Sequence, residues 1–95
     1  MLTLPIKKKW FNMIKSGEKK EEYREIKEYY GVRFGKLGVG DDKIHEIIFR
    51  NGYGNDKPTI KCKVQIGINY GCVEWGADAG KLYFVLKILS VEEIC

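Results

Sequence analysis

Gly17-Glu18-Lys19-Lys20-Glu21-Glu22-Tyr23-Arg24 decides the fold, because it admits two incompatible readings. Glu and Lys are strong helix formers, and Tyr23, Ile26 and Tyr30 fall on a helical stripe, so local propensity predicts a helix through Glu18 to Phe34. A strand instead sends Lys20, Glu22 and Arg24 to one face and Glu21, Tyr23 and Glu25 to the other. Inside a cleft, the attraction between Glu22 and Arg24 on that shared face would hold both charged. Arg24 then offers a planar fork of donors to phosphate or a base edge, Glu22 accepts from an exocyclic amine, and Lys19 or Lys20 adds a point charge. In the helical reading the same residues are a solvated run of charge, with Glu21 and Glu25 mildly repulsive at i,i+4.

The flanks carry clearer periodicities. Upstream, Leu2, Leu4 and Ile6 alternate with Thr3 and Pro5, which predicts a short strand with Pro5 at an edge or end. Ile6, Trp10, Met13 and Ile14 recur at helical spacing, Phe11 widens that stripe, and Gly17 supplies the stop. Downstream, Gly31, Gly35, Gly38 and Gly40 with Asp41 and Asp42 predict a loop. The remainder reads as β. Ile44 to Phe49 is a short apolar run, Ile60 to Ile68 alternates strictly, and Leu82, Phe84, Leu86 and Ile88 repeat the alternation. Cys62 falls among aliphatic neighbours as a buried, inert thiol. His45, beside Ile44 and Ile47, reads as a hydrogen-bonded structural histidine.

Ninety-five residues and 11.0 kDa predict one compact domain over 1–95, and 44% hydrophobic with 32% charged residues is a globular composition. Seventeen basic against thirteen acidic side chains leave +4, and the excess lies towards the front of the chain. That bias suits a polyanionic partner, and on charge alone it is equally the mark of a solvated lysine-rich face. No apolar run nears ~20 residues and no signal-peptide pattern opens the chain, so a cytoplasmic protein with no membrane partner is expected. Cys62, Cys72 and Cys95 are an odd number without C-x-x-C pairing, which predicts thiols; with His45 they lack zinc-site spacing. No metal or cofactor is expected, since Gly35, Gly38 and Gly40 do not fit a phosphate loop. A second patch, Arg50-Asn51-Gly52-Tyr53-Gly54-Asn55, is turn chemistry to which Arg50 adds a phosphate contact and Tyr53 a stacking face.

Gly17, Lys19, Glu22 and Arg24 match the G-x-K-x-x-E-x-R signature of the ASCH domain family, and on this motif the chain resembles that family and its PUA-like relatives. The resemblance implies an α+β fold: a small, mostly antiparallel β-barrel with one or two flanking helices and the motif at the mouth of a cleft. It makes residues 20 to 25 a strand and leaves a helix from about Ile26 to Phe34. It also implies binding of RNA or of a nucleoside or nucleotide. The ligand-binding set is then Lys19, Lys20, Glu22 and Arg24, joined by Arg50 and Tyr53 of the second patch, and Arg24→Ala is expected to weaken binding without unfolding. Some members resemble amidohydrolases of acetylated cytidine, in which a threonine precedes the arginine by two residues. Here that position is Glu22, which changes the covalent step. The alternative reading is a metal-independent hydrolase using Lys19, Glu22 and Glu74. A further alternative is a protein interaction module using the Lys7 to Lys15 face or a free strand edge.

Overall fold

The computed structural model describes residues 1–94; Cys95, one of the three expected thiols, lies outside the described residues. In chain order the elements are β1 (Leu2–Ile6), α1 (Lys8–Lys15), β2 (Glu21–Glu25), α2 (Glu28–Leu37), β3 (His45–Asn51), β4 (Thr59–Tyr70), a 3-10 turn (Val73–Trp75) and β5 (Leu82–Glu93). The ambiguous segment is therefore a strand. Antiparallel pairing with β5 sets Glu22 opposite Leu86 and Arg24 opposite Phe84, and this register overrides helix propensity. Tyr23 takes the other face, where it packs with Ala77, Tyr83 and Val85.

The five strands lie in the order β1-β3-β4-β5-β2, with β1 parallel to β3 and the other three pairings antiparallel. β1 and β2 are thus the two edges, yet Arg24 Nη2 on one edge donates to the Pro5 carbonyl on the other at 2.9 Å. The sheet curls into a half-barrel whose open seam is bridged by a side chain. A bulge at Lys63/Val64, opposite which β5 carries the extra residue Leu89, bends the long β4–β5 hairpin. Pro5 sits in edge strand β1, where a missing N–H is tolerated.

The concave face holds the core: Leu4 and Ile6 of β1, Ile47 and Phe49 of β3, alternate residues of β4, and Phe84 and Leu86 of β5. Phe11 and Ile14 of α1 and Phe34 of α2 close over it. Gly31 and Gly35, expected in a loop, lie inside α2, which continues to Leu37 because Phe34 and Leu37 pack on the core. The loop begins at Gly38. His45 departs from expectation too, since its Nε2 is buried with no hydrogen-bond partner among the described residues. No helix among these residues is long and apolar enough to cross a membrane.

Cys62 and Cys72 are free, and Cys62 is fully buried. Burial pushes the Cys62 thiol up to about 12 from its ordinary 9.0. The unfolded chain releases this proton first, so the contribution is whole below pH 9.0 and is lost as pH rises towards about 12. Between pH 8 and 10, wild type is expected to lose about 1.4 kcal/mol more stability than Cys62→Ala in urea unfolding. Parallel pH dependences of the two proteins would show that the thiol titrates alike in both states.

Candidate functional site

Alternation along β2 turns Glu22 and Arg24 to the inward face of the half-barrel, at the seam. Both are charged residues in nearly dry surroundings, with side-chain exposures of 8% and 10%. Isolated charges there would be costly, so the arrangement of partners decides whether the site can exist. Glu22 Oε2 accepts from Arg24 Nη2 at 2.7 Å and from Nε at 3.1 Å, while Oε1 pairs with Lys19 Nζ at 3.2 Å. One carboxylate is thus clamped between two cations.

Lys19 is 1% exposed and lies beneath the carboxylate. Besides Glu22, its ammonium donates to the Glu21 carbonyl at 2.6 Å and the Trp75 carbonyl at 2.8 Å, which engages all three of its hydrogens. The rings of Trp10 and Tyr23 flank it, with centroids 5.3 and 4.7 Å away. Burial lowers the Lys19 ammonium below the ordinary lysine value, and the Glu22 charge opposes that shift. Its role in this geometry is to position Glu22.

Arg24 is similarly committed. Of the five guanidinium N–H groups, two meet Glu22, one meets Pro5 O, and one on Nη1 meets the Tyr30 hydroxyl at 3.2 Å, leaving a single Nη1 hydrogen. The fork that sequence alone offers to a ligand is mostly engaged inside the protein. Tyr30 in turn stacks on Phe34 with centroids 5.7 Å apart, so the guanidinium is tied to the core.

The loop after β4 fastens this assembly from the side. The Tyr23 hydroxyl donates to Glu21 Oε1 at 2.8 Å and accepts from the Cys72 N–H at 2.9 Å; burial raises its pKa well above the usual phenol range. Gly76 has φ +103°, and a Cβ there would stand 3.0 Å from the Trp10 ring. Glycine lets the loop lie flat against that ring and bring the Trp75 carbonyl to Lys19.

Above the floor opens a cleft of about 460 Å³, with Trp10, Tyr30 and Tyr53 among its walls and Lys7, Lys8 and Lys27 lining it beside Glu22 and Arg24. The volume falls in the range of small-ligand sites. Tyr53 is 87% exposed, so its ring is free to stack. Four cationic and two acidic side chains line the cleft, which favours an anionic ligand.

Of the residues singled out in sequence, Glu22, Arg24 and Tyr53 line this cleft and Lys19 supports it from below. Lys20 is exposed and outside the lining, as is Glu74 on the 3-10 turn. Arg50 follows the core residue Phe49 and so takes the opposite face of β3, half-buried, with its Nε unpartnered. Among the three residues of the hydrolytic reading, Glu22 alone reaches the cleft. The contributions of Lys7, Lys27 and Tyr30 depend on the folding of the two edges towards each other, and their sequence signal is a short pattern that recurs at Ile6 and Ile26. No family model matches the chain, and no curated protein or solved structure matches it either.

Proposed function

We propose that this chain is an ASCH-type, PUA-like domain that binds RNA or a nucleotide-like ligand in the seam cleft and acts in the cytoplasm. The observation that carries the reading is a buried, doubly clamped carboxylate at the floor of a cationic cleft with the rings of Trp10, Tyr30 and Tyr53 on its walls. A carboxylate fixed in direction reads donors such as the exocyclic amine of a base. Aromatic faces hold the base by stacking. Binding without turnover is favoured over hydrolysis, because the Lys19 hydrogens are all engaged below the floor.

Tyr53→Ala is the cleanest test, since an exposed ring can be removed without disturbing the core. Stacking contributes about 1–3 kcal/mol per base, so affinity for the preferred ribonucleotide or RNA oligomer is expected to fall about tenfold or more with an unchanged melting temperature. Undiminished affinity in Tyr53→Ala, or no binding of any ribonucleotide or RNA by wild type, contradicts the proposal.

A further inference from the structure

Each edge strand hands over to its helix through the same local pattern. Ile6-Lys7-x-x-Trp10 leads from β1 into α1, and Ile26-Lys27-x-x-Tyr30 leads from β2 into α2. In both, the lysine is the N-cap in extended backbone, at φ −68°, ψ 147° for Lys7 and φ −144°, ψ 164° for Lys27, and neither side chain caps its helix. The first helical hydrogen bonds run from Phe11 N to Lys7 O at 2.9 Å and from Gly31 N to Lys27 O at 2.8 Å. The N–H groups of the three residues before Phe11 and Gly31 therefore have no partner within their own helix. In both helices the aromatic is the third residue, and Lys7, Trp10, Lys27 and Tyr30 all line the one cleft.

Lysine is a poor N-cap on two grounds. It supplies no acceptor to the first-turn N–H groups, and its charge opposes the partial positive charge of that helix end. α1 adds Lys8 and Lys9 and has no acidic residue in its first turn, whereas α2 carries Glu28 there. The capping rule is thus broken twice, at two helix ends that open onto one cavity, and the charge rule is broken in full at α1; a bound anion would offset the missing acceptors at both ends. Among the described residues, Lys7, Lys8 and Lys27 pair with no carboxylate. Arg24, its side chain only 10% exposed in the cleft floor, keeps one Nη1 hydrogen without a protein acceptor.

We infer that the Lys7 and Lys27 ends of α1 and α2 form a phosphate grip, so that the ligand is a nucleoside phosphate, free or within an RNA strand, and not an unphosphorylated nucleoside. This rests on the nucleobase reading of the cleft and adds to it the phosphate and the residues that hold it. The base points to Glu22 between the aromatic walls, while the phosphate meets the lysines and the open helix ends.

The test is calorimetric titration of wild type and of Lys7→Ser/Lys27→Ser with the four ribonucleosides, their 5′-monophosphates and a mixed-sequence RNA hexamer. Wild type is expected to bind its preferred monophosphate about 30-fold more tightly than the matching nucleoside, and the double variant to reduce that ratio below about threefold. Serine is a proper N-cap, so the melting temperature of the double variant is expected to rise by about 4 °C or more. Affinity and stability moving in opposite directions is a result that a structural role for the two lysines does not give. A preference for the hexamer that the same substitutions abolish supports the grip with a strand as the phosphate source, and a preference for the monophosphate supports it with a free nucleotide. Equal affinity of wild type for nucleoside and phosphates, or an unaltered ratio in the double variant, overturns the grip alone. Failure of nucleosides, monophosphates and hexamer alike to bind overturns the cleft reading, and the grip with it.

Discussion

Glu22→Leu is expected to destabilise the protein by about 3–5 kcal/mol, because it leaves two buried cations without their common counter-charge. Lys19 would keep its two carbonyl acceptors, but its charge and that of Arg24 would face each other across an apolar side chain with little water between them. For a chain of this size the total stability is of the order of 5–15 kcal/mol, so the loss is a large fraction of it. Lys19→Met removes one cation and leaves Glu22 paired with Arg24. The double variant Lys19→Met/Glu22→Leu should therefore be less destabilised than the sum of the singles, by roughly 1 kcal/mol or more. Urea denaturation of the four proteins measures this coupling directly. Additive effects would mean that the two groups do not share the electrostatic environment their 3.2 Å separation implies.

Arg24→Lys is expected to cost about 2–3 kcal/mol even though the charge is kept. The guanidinium reaches three acceptors in three directions, namely Glu22, Tyr30 and Pro5, and a single ammonium cannot span them together. The bond to Pro5 is the one that links the two sheet edges. Hydrogen exchange in β1 should accelerate in Arg24→Lys more than exchange in β4, which is paired on both sides. Retained stability with unchanged β1 protection would show that the seam is held by something other than this side chain. The same bonds modify what sequence alone leads one to expect of Arg24→Ala: weaker binding comes together with a less stable seam.

Strict alternation made β4 legible before any coordinates, because it buries one face against the core; in β5 the alternation picked out Phe84 and Leu86 on that face, while Tyr83 and Val85 are buried on the opposite one against Tyr23 and Ala77. β2 was legible only through the G-x-K-x-x-E-x-R motif. Its composition favours a helix, and the register with β5 that overrides this preference is set by residues some sixty positions later. Gly31 and Gly35 misled for the opposite reason. Glycine usually weakens a helix, but here Phe34 and Leu37 anchor that helix to the core. At the site, Glu22, Arg24 and Tyr53 could be named from residue chemistry, whereas Lys7, Lys27 and Tyr30 could not. Their meeting depends on sheet curl, which brings Pro5 within 2.9 Å of an arginine at the far edge of the strand order. Arg50 lies outside the cleft lining because one residue of alternation after Phe49 turns it to the other face of β3.

The most direct measurement is an amide NMR titration of the isotopically labelled protein with its preferred ribonucleoside monophosphate. Shifts concentrated at Lys7–Trp10, Glu22–Lys27, Tyr30 and Asn51–Tyr53, saturating together, are the predicted result. Shifts confined to the outer face of β4 around Lys61 and Lys63, or none at concentrations where calorimetry detects binding, would contradict a ligand site at the seam.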